Sequence, residues 1–363
     1  MKHEANLDAE VRRLFAATVE KLAKQHHSIE RCRGPRFECS DEEWSAFAEQ
    51  GVFALGIDPE YGGLGGGISD LAAVMRQIGY NLLAVPFFEN AVMAALLVNR
   101  FGSADLKESL LPQIAEGSVR MAVALRDPGT VGADANHRAQ FAGDTISGVK
   151  DQVMDAENAS KFLVGAHDVD GKMVLGMIER DSPGLSVQHY RLPDNRIASR
   201  LTLDSVVATI LAVPDPGDIQ AILDAGAVCL ASETVGAMAA ANRITLDYAK
   251  VRRQFGRPIG DFQVLQHRMV DMFIAERRSR AVVDEAAAAL DNSLSDRTMA
   301  VSVAKAQADK SGRFVAESAI QIHGGMGLTD ECAIGHYLKR ILLNGSRHGT
   351  AAWHLNRLSL LQR

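Results

Sequence analysis

Residues 252–267 read RRQFGRPIGDFQVLQH and separate two long stretches that are predicted to be helical. Upstream, residues 218–250 contain no proline and are rich in alanine and leucine. They predict a helix of about 50 Å at 1.5 Å per residue. Downstream, the helical pattern continues through residues 262–290, 295–322 and 331–363. We therefore expect the C-terminal part of the chain to form an antiparallel helical bundle.

The middle of the chain has a different texture, because short runs of β-forming residues alternate with turn dipeptides. These runs cover residues 120–125, 161–165, 172–178 and 200–211. Residues 214–217 read Pro-Asp-Pro-Gly and mark a linker, after which Asp218 is placed to cap the following helix. The middle part is therefore predicted to be a β domain.

The first 115 residues are predicted to be mostly helical. Asp8 is placed as the N-cap of a first helix with one apolar stripe. Ser40 and Glu43 form the pattern of a capping box, and Gly51 is suited to end that helix. Helical patterning resumes over residues 69–100.

The order of these textures predicts an α+β fold that is mostly α. The expected domains are an N-terminal α-helical domain, a middle β domain and a C-terminal α-helical bundle, at residues 1–115, 116–214 and 215–363.

Composition and charge exclude several classes of function. There are 39 Lys and Arg against 45 Asp and Glu, and a net charge of −6 gives no general attraction to nucleic acid or anionic lipid. The four cysteines stand apart, so neither a disulfide framework nor a zinc knuckle is indicated. Neither His26-His27 nor His348 with His354 has a third converging ligand, and no metal site is expected.

Membrane association is not expected either. The N-terminal residues contain no apolar signal region, and the longest clean apolar run, residues 91–98, is too short to span a bilayer. We expect a cytoplasmic protein without nucleic-acid or membrane partners.

Three strings point to a family when they are taken together. They are PEYGGLG at residues 59–65, the arginine-rich string at 252–267, and QIHGGMGLT at 321–329. In this order they resemble the acyl-CoA dehydrogenase family, and the resemblance spans essentially the whole chain. It implies an N-terminal helical domain, a middle β-barrel or sandwich domain and a C-terminal four-helix bundle. It also implies FAD as the cofactor and an acyl-CoA thioester as the substrate.

In that family two subunits pack side by side, and each FAD lies across their interface. One subunit holds the isoalloxazine ring, and its neighbour contributes to the pyrophosphate and adenosine end. The resemblance carries the neighbour's residues onto Arg252, Phe255, Gln263, Gln321, Gly324 and Gly325. Arginine forms a charge-assisted fork with phosphate, and glycine lets backbone N–H groups approach a dianion. The alternative is that Arg252 is a solvated helix-end charge and that the two glycines only cap a helix.

The catalytic base of the family is altered. A glutamate that removes the α-proton usually stands 27 positions after the first glutamine of the Q-x-x-G-G string, and here that position is His348. A subset of the family places the glutamate 29 positions before the phenylalanine of R-x-Q-F-G, and here that position is Gly226. Neither position has a carboxylate.

The residues that face the flavin ring also depart from the family. Arg126 replaces a threonine that bonds the flavin, and residues 152–154, Gln-Val-Met, align with a W-I-T string that packs on the ring. A thioether cannot donate the hydrogen bond of that threonine, and an arginine fills space that the ring would use.

The altered and retained residues together suggest a heteromer. The residues that would bind a neighbour's FAD are retained. The residues that would hold this subunit's own flavin ring and deprotonate its own substrate are changed. The chain resembles the short subunit of bacterial α2β2 acyl-CoA dehydrogenases that act on sterol side-chain thioesters. Expected partners are an acyl-CoA, an electron-transfer flavoprotein or similar acceptor, and identical or paralogous subunits in a tetramer.

Three alternatives stay open at this point. The chain could be self-sufficient, with His348 as the base, because imidazole can accept a proton at neutral pH. It could be a flavin-dependent monooxygenase of the same superfamily, since those enzymes take no α-proton. It could also be a structural partner that binds no flavin.

Overall fold

A 36-residue helix, α6 (Pro216–Val251), runs through the centre of the computed structural model, which describes residues 7–26, 29–130 and 138–361. His27, part of a histidine pair considered above, lies outside the described residues. By length and composition α6 could span a membrane, but 94% of its apolar window is buried inside the protein. That burial is typical of a core helix.

Helix α3 (Ile68–Asn81) crosses α6 with the two backbones in direct contact. A Cβ built on Gly79 would lie 1.9 Å from the carbonyl oxygen of Glu233, and one built on Gly236 would lie 1.9 Å from that of Arg76. Any side chain at either glycine would push the helices apart. This crossing fixes the N-terminal helices on the C-terminal bundle.

The N-terminal part is helical, as predicted. Glu10 N donates to Oδ1 of Asp8 at the first helix, and Glu43 N donates to Oγ of Ser40 at the second, both at 3.1 Å. The side chain of Glu43 also pairs with Arg31 at 3.1 Å. Besides α3, the helices are α1 (Ala9–His26), α2 (Asp41–Glu49), α4 (Ala95–Phe101) and α5 (Ala104–Ala115).

The helical pattern predicted over residues 69–100 is confirmed for most of the stretch, but it is interrupted once. Helix α3 ends at Asn81, and Leu82 has a φ of +50°. Pro86 disfavours helical backbone at the preceding residue, which explains an extended link here. A π-helix (Phe88–Ala94) then leads into α4.

The middle part is one mixed sheet in the order β6-β7-β3-β2-β4-β5-β8, with β1 parallel to β4. It encloses its own core, to which Ile146, Phe162, Ile178 and Leu201 contribute from four strands. The expected middle β domain is therefore confirmed, and it is built on a single mixed sheet. The strands are β1 (Met121–Ala124), β2 (Gln140–Ala142), β3 (Thr145–Met154), β4 (Lys161–His167), β5 (Met173–Glu179), β6 (Leu185–Arg191), β7 (Ile197–Val207) and β8 (Thr209–Ala212).

The four predicted β runs correspond to β1, β4, β5 and the β7–β8 pair. Strands β2, β3 and β6 were not predicted. Two register shifts interrupt β3 opposite β7, and polar residues 150–152 break its alternation. Periodicity alone does not identify such a strand.

The C-terminal part is the expected helical bundle around α6. The predicted cap is wrong by one turn, because Asp215 is the N-cap and Pro216 takes the first helical position, where proline is favoured. The last predicted helix is two helices, interrupted where His348 and Gly349 have φ of +50° and +86°. The other helices are α7 (Gln263–Asp291), α8 (Arg297–His323), α9 (Ala333–Gly345) and α10 (Ala351–Leu361).

A buried ionic cluster joins the three parts of the chain. Arg340 of α9 is 1% exposed and donates to Oδ2 of Asp194 at 3.0 Å, to Oε1 of Glu233 at 2.7 Å and to the carbonyl oxygen of Leu83 at 3.0 Å. Burial opposes the charge on Asp194, but Arg196 and Arg340 hold its pKa down at about 2. The cluster therefore contains two cations and two carboxylates.

We expect Arg340→Met to lower the free energy of unfolding by about 3–5 kcal/mol, because it leaves two buried carboxylates with one cation. Denaturant unfolding measures this. Arg313→Met is the matched control, because Arg313 pairs with Glu317 on the exposed face of α8 and should cost less than about 0.5 kcal/mol. Equal losses in the two variants would contradict the role of the cluster.

Candidate functional site

A cavity of about 90 Å³ lies where the three parts of the chain meet. The π-helix forms one wall, β1 and β3 form another, and α6 with the loop between α9 and α10 completes it. His348, Arg126 and Met154 all line this cavity. The structure thus brings together the positions where the sequence departs from the family it resembles.

Gly226 and His348, the two positions of the family base, face each other. A Cβ built on Gly226 would lie 2.7 Å from Cε1 of His348 and 2.8 Å from Sδ of Met93. Glycine leaves the room that the imidazole occupies. A side chain at position 226 would therefore require His348 and Met93 to shift.

The surroundings of His348 keep its imidazole neutral. Nδ1 lies 3.2 Å from the carbonyl oxygen of Leu223, which can only accept, so Nδ1 carries the proton and Nε2 has the lone pair. The backbone oxygen of His348 accepts from Nε2 of His354 at 2.9 Å. Burial and, next, the charge of Arg347 lower the pKa of His348 to about 3. The ring is a weak base at neutral pH.

Arg126 spans the cavity from the end of β1. Its Nη1 donates to Oε1 of Gln152 and to the carbonyl oxygen of Ser346, the latter at 3.3 Å. Small-molecule sites usually enclose about 300–1,000 Å³, whereas this cavity has about 90 Å³. The residues at this end therefore do not leave the space of a three-ring flavin.

The same cavity contains a buried ion pair that the sequence did not predict. Nη2 of Arg347 lies 2.7 Å from Oε1 of Glu89, and the guanidinium stands 4.7 Å from the ring centroid of Phe88. Glu89 belongs to the π-helix, a geometry that is common at functional sites. The two partners are far apart in the chain, so no local pattern could have paired them.

Phe255 stands at the tip of a two-residue hairpin loop that follows α6. Gln254 pairs with Arg257, and Phe255 and Gly256 have φ of +52° and +82°. A phenylalanine in this conformation costs about 1–2 kcal/mol. Its side chain is nevertheless 91% exposed. A cation–π contact at the base of the hairpin stabilises it, since the guanidinium of Arg257 lies 4.2 Å from the ring centroid of Phe262.

The string at residues 321–329 contains the end of α8, which lies beside this hairpin. Rings of Tyr248, four residues before Arg252, and His323 stack at 4.3 Å between centroids. Gly324 caps α8 with a φ of +62°, as the plain alternative expected. It also leaves open backbone, because a Cβ built on Gly324 or Gly325 would meet nothing within 4 Å.

All six residues that the resemblance assigned to the nucleotide end are exposed. No side-chain hydrogen bond occupies Arg252, Gln263 or Gln321 among the described residues. An exposed arginine, two amides and open glycine backbone fit a pyrophosphate. The residue types on this surface suit the nucleotide end of an FAD, whereas the cavity leaves little room for its ring.

Two family descriptions match the chain. Residues 2–118 match the acyl-CoA dehydrogenase N-terminal domain, and residues 217–359 match the acyl-CoA dehydrogenase C-terminal domain. The chain belongs to the acyl-CoA dehydrogenase family. Together the two matches cover most of the sequence, and the mixed sheet lies between them.

Individual acyl-CoA dehydrogenases are similar over nearly the whole length. Acyl-CoA dehydrogenase IpdE2 of Mycolicibacterium smegmatis is 27% identical over 347 residues, which cover 94% of each chain. A variant of the Tcur3481-Tcur3483 steroid ACAD is 30% identical with a TM-score of 0.89, covering 97% of this chain and 98% of that one. The ChsE4-ChsE5 complex from Mycobacterium tuberculosis has the same fold, with 23% identity, a TM-score of 0.89 and 98% coverage of both chains.

We expect Gly226→Ala to destabilise the protein by about 1–3 kcal/mol, because its Cβ overlaps His348 and Met93. Gly217→Ala in the same helix is the matched control. A Cβ there meets nothing within 4 Å, so the substitution should be neutral or stabilise by up to about 1 kcal/mol. Urea unfolding of both variants measures the difference, and a harmless Gly226→Ala would contradict the packing.

The lowered pKa of His348 predicts a pH dependence of stability. Its folded value of about 3 lies below the ordinary value of 6.5, so the unfolded chain takes up the proton first as the pH falls. His348 therefore contributes stability that is present above about pH 6.5 and is lost on acidification. Below about pH 6.5, the free energy of unfolding of the wild type should fall by about 1.4 kcal/mol per pH unit relative to that of His348→Asn.

Unfolding curves from pH 7 down to 4 provide the measurement. His267→Asn is the control, because His267 is exposed on α7 and outside the cavity. A constant difference between wild type and His348→Asn across this range would mean that the histidine is not held neutral.

Proposed function

We propose that this acyl-CoA dehydrogenase is the base-lacking subunit of a heteromer and completes the FAD site of a paralogous subunit. The observation that carries the proposal is that the two family base positions, Gly226 and His348, lie in contact and neither has a carboxylate. The partner would supply the base and the ring-binding cavity. The reaction would be α,β-desaturation of an acyl-CoA thioester.

The exposed surface around the hairpin is this chain's contribution. Arg252 would neutralise the pyrophosphate, and open backbone at Gly324 and Gly325 would donate to it. Phe255 would exclude water from the nucleotide, because its ring already projects from the subunit. Gln263 and Gln321 would add amide hydrogen bonds. The hydride acceptor for the β-carbon of the acyl group would be supplied by bound FAD.

Relatives support the heteromer and the substrate class. The Tcur3481-Tcur3483 and ChsE4-ChsE5 structures each name two proteins, and the former is named a steroid enzyme. We infer a sterol-type side-chain thioester for the assembled enzyme, with an electron-transfer flavoprotein or similar acceptor. Tetrameric assembly and a cytoplasmic location stay predictions.

The geometry disfavours a self-sufficient enzyme with His348 as the base. Nδ1 already donates to Leu223, and the lowered pKa makes Nε2 a poor acceptor for an α-proton. His348→Gln in the assembled enzyme would separate the two possibilities, since unaltered turnover excludes this histidine as the base. No observation favours a monooxygenase, which would consume oxygen with reduced flavin, or a purely structural partner.

The deciding experiment compares the chain purified alone with the chain co-purified with a co-expressed paralogue. We expect the lone chain to carry no flavin and to be inactive in dye-linked acyl-CoA oxidation. The complex should contain one FAD per two chains and be active. Stoichiometric flavin and turnover in the lone chain would refute the proposal.

We expect Arg252→Ala to weaken FAD retention by the complex roughly ten- to hundredfold, because a charge-assisted hydrogen bond contributes about 1.5–3 kcal/mol. Flavin absorbance after dialysis measures the loss. Arg313→Ala is the control, since Arg313 lies on α8 in an exposed ion pair. Full flavin content in Arg252→Ala would favour the structural-partner alternative.

A further inference from the structure

The cavity contains a cation, Arg126, that hydrogen-bonds to no carboxylate among the described residues. Within residues 7–26, 29–130 and 138–361, Arg126 is partly buried and donates only to uncharged acceptors, those of Gln152 and Ser346. Asp151, whose charge reaches Arg126, is held by Arg200 at 3.1 Å and by the hydroxyl of Tyr190 at 2.9 Å. Burying a cation without a counter-ion is unfavourable.

The remaining charges of the cavity cancel. Arg347 is neutralised by Glu89 at 2.7 Å, and His348 is neutral because its Nδ1 donates to a carbonyl and its pKa is lowered. Arg126 therefore leaves the described lining with one net positive charge. The cavity is suited to a ligand with one negative charge.

The volume and the lining residues of the cavity limit the kind of anion that it could bind. A volume of about 90 Å³ holds only a few non-hydrogen atoms. A guanidinium fork matches a planar carboxylate, and apolar walls at Phe88, Met93 and Val123 suit a short alkyl group. With Oε1 of Gln152 taken by Arg126, its amide N–H₂ is a second donor. A phosphate dianion would bring two charges to one arginine.

We propose that this cavity binds a small carboxylate, of the size of acetate or propionate, through Arg126. The inference rests on the proposed function in one respect, namely that the chain's own cavity takes no flavin ring. The carboxylate belongs either to a free short-chain acid or to the far end of an acyl group.

The test is titration calorimetry of the full chain at constant ionic strength. We expect saturable binding of propionate and none of propionamide, which has the same shape without the charge, or of chloride. Arg126→Gln should weaken binding at least tenfold, and Arg126→Lys should retain part of it because the charge stays and the fork is lost. Arg313→Gln, far from the cavity, should bind as the wild type does.

Two further measurements are the binding of two acyl-CoA thioesters and the circular dichroism spectrum of Arg126→Gln. Stronger binding of succinyl-CoA than of butyryl-CoA, lost in Arg126→Gln, would identify the far end of an acyl group; binding of propionate alone would identify a free acid. Equal behaviour of propionate and propionamide, or unchanged binding in Arg126→Gln with a native circular dichroism spectrum, would overturn the inference. If Arg126→Gln fails to fold, Arg126→Lys and the two wild-type titrations decide.

Flavin absorbance of the same sample separates this inference from the proposed function. A flavin-loaded lone chain means that the heteromer proposal fails. If the lone chain contains no flavin and does not bind propionate, only the carboxylate site is refuted.

Discussion

One buried guanidinium, that of Arg340, fixes the three parts of the chain relative to one another. It bonds Glu233 of the central helix, Asp194 between two strands, and the backbone of Leu83 after α3. A charge at 1% exposure tolerates no misplacement, because each lost partner leaves an uncompensated ion. Helix α9 contains Arg340 and leads directly into the loop that contains His348. The position of this loop in the cavity therefore depends on the ionic cluster.

The molecule uses its polar groups in two contrasting ways. Inside the cavity most of them are already paired: Arg347 with Glu89 and His348 with a backbone carbonyl, whereas Arg126 hydrogen-bonds only to uncharged acceptors among the described residues. On the surface beside the hairpin they stay unengaged and face solvent. Polar groups left available at a surface suit recognition, whereas those consumed in an interior suit packing. This contrast supports a subunit that contributes to another chain's site.

Long periodic segments and local strings could be predicted from the sequence. Helices α6, α7 and α8 differ from prediction by one or two residues at most ends, because their periodicity extends over many turns. The polar, bulged strand β3 and the π-helix have no such signal. The contacts of Gly226 with His348 and of Glu89 with Arg347 join residues more than a hundred positions apart, so only the folded chain reveals them.

Phe255 has a consequence for the life of the chain before assembly. A newly made copy without a neighbour displays a bulky aromatic ring to water on a rigid, strained tip. Exposed aromatics of this kind are what chaperones bind and what drives orphaned subunits into precipitates. In the proposed heteromer the neighbouring subunit would cover this ring, so the soluble amount of this chain would depend on the supply of that subunit.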